Sequence, residues 1–227
     1  MQASLSTYPP MGRFEIPDFF PAPVAIGIAC FQRPVHPQWA RAMTKLQSPT
    51  GEPMPYIVLQ GENGKGGSTG GDYTRIGPAR DAIVQQAESE GVRYLLFVDD
   101  DTEPPADAFL HLLLGLDQNP RAAICAGLYR KKSDEDYYPV VWDFDGYSIT
   151  EPPRTVFECG AIGAGCMLID IGMLASIPFP RFHPTPDGKD DDILFCNRVR
   201  AAGYQVLAHG GVRCTHWGGI RGYKLNS

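Results

Sequence analysis

YLLFVDDDTEPP, Tyr94 to Pro105, is the stretch on which the reading of the whole chain turns. Tyr94 to Val98 is a short, unbroken apolar block with β-branched and aromatic members, the pattern of a strand buried on both faces. It runs directly into three acids. Pro104 and Pro105 cannot continue a strand ladder but suit the first turn of a helix, and Ala106 to Leu114 is apolar enough to be that helix. Asp99, Asp100 and Asp101 are therefore expected at the carboxyl end of a central strand, the edge at which open α/β sheets bind ligands. Two carboxylates ~4 Å apart repel by roughly 4 kcal/mol at the effective dielectric of a protein surface, and a divalent cation beside them reverses the sign. Side chains alternate along a strand, so Asp99 and Asp101 are expected to point one way and Asp100 another. A solvated acidic turn is the plain alternative; the apolar strand before the acids and the prolines after them favour a metal or ligand site.

Working outward, the segments on either side alternate between strand and helix patterns. Val24 to Phe31 reads as a strand, a helix is expected near Gln38 to Leu46, a second strand at Pro55 to Gln60, and a helix from about Pro78 to Glu90. That alternation predicts an α/β fold with a mostly parallel central sheet flanked by helices. Gly61 to Gly71 is glycine-rich, but Lys65 is followed by Gly66 and not by Ser or Thr, so the phosphate-loop pattern fails and a surface loop is expected. Arg75 and Arg80 are better phosphate or base contacts, with a solvated helix arginine as the alternative for Arg80.

Downstream, Ala122 to Leu128 reads as a strand ending in the basic run Tyr129 to Lys132, either an acceptor contact or a solvated turn. Tyr137, Tyr138, Trp142, Phe144 and Tyr147 follow, and ordinary packing is favoured over a sugar-binding platform. In Val156 to Asp170, the glycines Gly160, Gly163 and Gly165 permit close backbone approach, to a ligand or within a tight core bend. Asp190, Asp191 and Asp192 open a helix whose apolar positions are Ile193, Cys196, Val199 and Ala202, with Gly203 at its end. The helix dipole accounts for one or two of these acids; three exceed what capping needs. Tyr204 to Ala208 reads as a last strand before His216, Trp217 and Gly218.

The 227 residues, 43% of them hydrophobic, suffice for one well-buried core, so a single domain is expected over residues 24–227 behind an irregular, Pro- and aromatic-rich arm at 1–23. A net charge of −6 argues against a surface built for nonspecific nucleic-acid binding. The six cysteines, Cys30, Cys125, Cys159, Cys166, Cys196 and Cys214, contain no C-x-x-C pair, which points to reduced core thiols in a soluble, cytoplasmic protein and away from structural zinc. No signal peptide or membrane-spanning run is recognisable.

Together these pieces resemble a glycosyltransferase of the GT-A fold, closest to the family 2 type. The resemblance is carried by FVDDD at Phe97–Asp101 as a D-x-D element, GAGCML at Gly163–Leu168 as the donor-side strand, Asp191 and Asp192 with Phe195 and Cys196 as an acidic helix start, and His216-Trp217-Gly218 near the end. It implies the GT-A fold with a small antiparallel addition. It further implies transfer of a sugar, with inversion, from a nucleotide-diphosphate sugar such as a UDP-sugar to an acceptor hydroxyl. By the resemblance, Asp101, Asp99 and His216 hold Mn²⁺ or Mg²⁺ against the donor diphosphate, and Asp100 meets the ribose. Gln32, Gln60 and Arg80 lie where the family contacts base and phosphates, and Gly163 and Gly165 line the donor. Asp192, or Asp191 if the register is one off, is the general base. The compact form is similar to phage and bacterial enzymes that decorate saccharides, proteins or hydroxymethylated DNA bases, and the residues leave the acceptor open. For a phage-encoded protein the host cytoplasm is the implied compartment. A nucleotidyltransferase, or a noncatalytic nucleotide-sugar binding module of the same fold, is the alternative.

Overall fold

β3 (Tyr94–Val98) lies inside a seven-stranded sheet and is buried from Leu95 to Val98. Its alternate residues feed two different cores. Leu95 and Phe97 pack on one face with Ile83, Val84, Met167, Ile169, Phe195 and Val206, while Leu96 and Val98 pack on the other with Trp39, Phe109, Leu112, Cys166 and Leu168. This is the physical content of an unbroken apolar strand: both sides are covered, so neither position can be polar.

The computed structural model describes residues 24–30, 35–47, 56–62, 76–134, 137–182, 191–218 and 220–225. Along the chain come β1 (Val24–Cys30), α1 (Pro37–Met43), β2 (Tyr56–Glu62), α2 (Ile76–Ser89), β3, β4 (Thr102–Glu103), α3 (Ala108–Asp117) and β5 (Ala122–Leu128). They are followed by β6 (Val141–Trp142), β7 (Val156–Glu158), β8 (Ala161–Ile162), β9 (Cys166–Asp170), a 3₁₀ turn (Ile171–Ser176), α4 (Asp191–Ala201), β10 (Gln205–Arg213), β11 (Thr215–Gly218) and β12 (Arg221–Tyr223). The large sheet has the order β2-β1-β3-β9-β5-β10-β7. β2, β1, β3, β5 and β10 run one way, while β9, wedged between β3 and β5, and the edge strand β7 run the other. The mostly parallel α/β sheet is what the alternation of elements implied, and the small antiparallel sheets are what the family resemblance implied. The arm at 1–23, most of the glycine-rich loop, Gln32, Arg75 and Asp190 lie outside the described residues.

Two local differences from the sequence reading follow from backbone hydrogen bonding. The helix after the acids starts at Ala108 and not at Ala106, because Thr102 and Glu103 first form β4 by pairing with His216 and Thr215 of β11. Those two residues keep ladder partners that a direct strand-to-helix turn would have left unmet. The aromatic segment packs only in part: Trp142 lies against the core, but Tyr137, Tyr138, Phe144 and Tyr147 are all more than half exposed, and two of the rings stack on guanidinium groups, Tyr137 on Arg130 and Phe144 on Arg200. α4 ends as expected at Gly203, whose φ of 89° is a conformation that side-chain-bearing residues rarely adopt, with Tyr204 N–H closing on the Val199 carbonyl. Cys125, Cys159, Cys166, Cys196 and Cys214 are buried free thiols. Among the described residues no helix is long and apolar enough to cross a membrane.

Candidate active site

The acidic turn is clamped from both sides by main-chain hydrogen bonds. His36 N–H donates to the Asp100 carbonyl (2.8 Å), Trp217 N–H donates to the Asp101 carbonyl (2.8 Å), and the His36 and Trp217 rings stack 5.1 Å apart. The Trp217 indole N–H also donates to the Glu103 carboxylate at 2.8 Å. The loop after β1 and the strand β11 therefore meet over the end of β3.

From this fixed turn the acids diverge. The strand ends at Val98, so the alternation that would aim Asp99 and Asp101 the same way stops before it reaches them. Asp99 Oδ1 accepts from Arg80 Nη2 at 2.9 Å, and the other arm of the same guanidinium, Nη1, donates to Asp191 Oδ2 at 2.7 Å. Arg80, on α2, thus ties the end of β3 to the start of α4. Burial works against its charge, but Asp191, Asp99 and Asp192 outweigh that and hold it firmly protonated. Asp100 is buried, 3% exposed.

Asp101 makes the second node. Its Oδ1 lies 3.2 Å from His216 Nε2, and its Oδ2 takes a hydrogen bond from Lys132 Nζ. Burial pushes this carboxyl up, but the His216 and Lys132 hydrogen bonds and charges more than offset it and hold it well below the usual carboxylate range. His216 is itself oriented: Nδ1 is 2.9 Å from the Arg130 carbonyl, which can only accept, so Nδ1 carries a proton and the ring turns Nε2 towards Asp101 Oδ1. The Tyr129 ring meets the His216 ring edge-on at 5.2 Å.

Tyr129 in turn explains the glycines. A Cβ on Gly163 would sit 2.2 Å from the Tyr129 hydroxyl, and one on Gly165 would sit 2.8 Å from its ring, while Gly165 N–H donates to that hydroxyl at 3.2 Å. The close approach these two glycines permit is to a buried tyrosine that backs His216. Gly163→Ala is expected to lower unfolding free energy by about 2 kcal/mol in urea denaturation, the cost of overpacking a closed core. Gly172→Ala, where the added methyl meets only the Asp170 carboxylate at 3.3 Å, is expected to stay within about 0.5 kcal/mol.

Asp191 and Asp192 open α4. Asp191 is buried and committed to Arg80. Asp192 is half-buried and makes no salt bridge among the described residues; its Oδ1 accepts from the Ile193 N–H at 2.9 Å. Burial first, then the neighbouring Asp191, push its carboxyl up to about 6, against the pull of Arg80. A carboxyl that titrates near neutrality is suited to accepting a proton.

The structure thus joins Arg80, Asp99 and Asp191 in one cluster and Asp101 with His216 in another. Among the described residues no three His, Cys, Asp or Glu side chains gather in a metal cage. Gln60 lies in β2 opposite Ile28 of β1. The sequence offers Tyr129 to Lys132 as an acceptor contact or a solvated turn and not as neighbours of Asp101 and His216, and nothing in it singles out His36 or Glu103.

Residues 72–175 match the family model described as Glycosyl transferase family 2, a window that contains Arg80, the acidic turn, Tyr129 and both glycines. No curated protein matches the sequence. Among solved structures, A197 from STIV superposes with a TM-score of 0.61 at 15% identity, over 90% of this chain and 95% of that one. GalNAc-T7, whose crystal structure holds UDP, GalNAc and Mn²⁺, superposes with a TM-score of 0.58 at 11% identity, over 86% of this chain and 44% of that one. This chain therefore spans less than half the length of the second neighbour. The superpositions show a fold of the GT-A class. Within that class the chain is similar to the family 2 glycosyltransferases.

Proposed function

We propose that the protein transfers a sugar from a nucleotide-diphosphate sugar to an acceptor hydroxyl with inversion, with Asp192 as general base and Asp101 and His216 as the protein ligands of a divalent cation. The observation that carries this reading is the meeting of Asp101 Oδ1 and His216 Nε2 at 3.2 Å, two groups from distant parts of the chain joined at the carboxyl edge of the sheet.

The donor set fits Mn²⁺ or Mg²⁺: one carboxylate, and one imidazole whose Nδ1 proton is anchored so that Nε2 faces the carboxylate. Asp101 and His216 would hold the ion, with substrate oxygens and water completing its shell. Bound there, it would supply Lewis-acid neutralisation of the departing diphosphate. Asp99 is held by Arg80 in the neighbouring cluster. GalNAc-T7, with UDP and Mn²⁺ on a similar fold, supports the donor class, with UDP as the base to test first.

On the acceptor side, Asp192 removes the hydroxyl proton as the oxygen attacks the anomeric carbon. Arg80 fixes Asp191 and Asp99, which keeps the start of α4 at a constant distance from the end of β3. A base on the opposite side of the anomeric carbon from the leaving group gives inversion. Gln32, Gln60 and Asp100 remain the proposed contacts to base and ribose. The acceptor, a saccharide, a protein or a modified DNA base, belongs to the exposed Tyr137 and Tyr138 side of the site. A panel of nucleotide sugars incubated with and without Mn²⁺ tests this: one donor should slowly release nucleoside diphosphate only with metal. Binding of a donor without any release would leave a binding module in place of an enzyme.

A further inference from the structure

Both oxygens of the Asp101 carboxylate are engaged. His216 meets Oδ1 and Lys132 meets Oδ2, so a cation binding Asp101 competes with them for the same oxygens. The two are not equally free to move. His216 is fixed on one side by the Arg130 carbonyl and backed by the Tyr129 ring. Lys132 ends a flexible four-carbon stem that passes beside Gly218, and its side chain is 31% exposed. The chain that supplies the Arg130 carbonyl to His216 returns two residues later to place the ammonium on the same carboxylate.

We propose that Lys132 is a resident counter-ion of Asp101 that must leave before a divalent cation binds, and so sets the metal affinity of the site. This rests on Asp101 and His216 being the metal ligands. With Lys132 seated, Asp101 is neutralised in the absence of metal, and the buried carboxylate is not left unpaired. The competent state is the fraction with Lys132 swung away, so the apparent dissociation constant for metal is the intrinsic one divided by that fraction. Once displaced, the ammonium stays within a side chain's reach of Asp101, where an anionic diphosphate would arrive.

The test is Mn²⁺ binding without any donor, followed by loss of the free-ion electron paramagnetic resonance signal in the full-length protein. Wild type, Lys132→Ala, Lys132→Gln, Lys131→Ala and Asp101→Ala are compared. If Lys132 is seated about nine-tenths of the time, both Lys132 variants bind Mn²⁺ about 10-fold more tightly than wild type, and Lys131→Ala, an exposed neighbour, binds as wild type does. Lys132→Gln keeps most of the stem, so agreement between the two variants separates loss of charge from loss of packing. Wild-type affinity in both Lys132 variants, or weaker binding, overturns the counter-ion role while leaving the metal site standing, provided Asp101→Ala loses binding. Absence of Mn²⁺ binding in wild type and in both Lys132 variants overturns the counter-ion role and the metal assignment together.

Discussion

Arg80→Met should lower the free energy of unfolding by about 3 kcal/mol, the low end of the range for removing one partner of a buried ion pair, because Asp99 retains some solvent. The guanidinium is 5% exposed and holds Asp99 and Asp191 with separate nitrogens. Methionine fills much of the same space, so the loss is electrostatic: two carboxylates remain facing each other with their shared cation gone. Urea denaturation of Arg80→Met, followed by Arg80→Met combined with Asp99→Asn and Asp191→Asn, separates the causes. The triple variant should recover a substantial part of the loss, since neutral amides remove the repulsion that the single variant exposes. Arg80→Lys should fall between them, as one ammonium cannot reproduce the fork. A change below about 1 kcal/mol in Arg80→Met would remove Arg80 as the tie between α2, β3 and α4.

Asp192→Asn should keep donor and metal binding and lose transfer by about 10³-fold, within the range for removal of a general base. The substitution is nearly isosteric, and Asp192 makes no salt bridge among the described residues whose loss would disturb the fold. Wild-type transfer should also depend on pH in a defined direction. The base acts as carboxylate, and its carboxyl is pushed up to about 6 by burial and by Asp191. Rate therefore rises as pH climbs through about 6 and levels above it, and Asp192→Asn flattens that limb. Asp191→Asn acts differently: Asp191 is bonded to Arg80, so its loss should cost stability and shift the limb downward by removing a neighbouring negative charge, without abolishing transfer. Transfer at a normal rate by Asp192→Asn would move the base to another residue.

The parts of this fold and site that were legible in the sequence are those with short-range causes. Tyr94 to Val98 is buried on both faces and reads so because every position is apolar; Gly203 ends α4 because the chain needs a left-handed residue there. The separation of Asp99 from Asp101 was not legible. It depends on where the strand stops and on Arg80, which sits one helix away and meets its second acid 111 residues later. The pairing of Lys132 with Asp101 was not legible for the same reason: a basic run at a strand end looks the same whether its ammonium meets water or Asp101. Gly163 and Gly165 were correctly read as points of close approach, but their neighbour, Tyr129, comes from another strand, and a sequence does not distinguish a ring from a ligand. β4 was missed because its two residues have no strand pattern of their own and exist only through pairing with β11.

Calorimetric titration of nucleoside diphosphates, with and without Mn²⁺, into wild type and Asp101→Ala tests most directly whether the end of β3 and His216 form a metal-assisted diphosphate site. The expected result is that at least one nucleoside diphosphate binds wild type only when Mn²⁺ is present, and that Asp101→Ala, still folded by circular dichroism, binds it at least 10-fold more weakly. Equal binding with and without Mn²⁺, unchanged in Asp101→Ala, would contradict it.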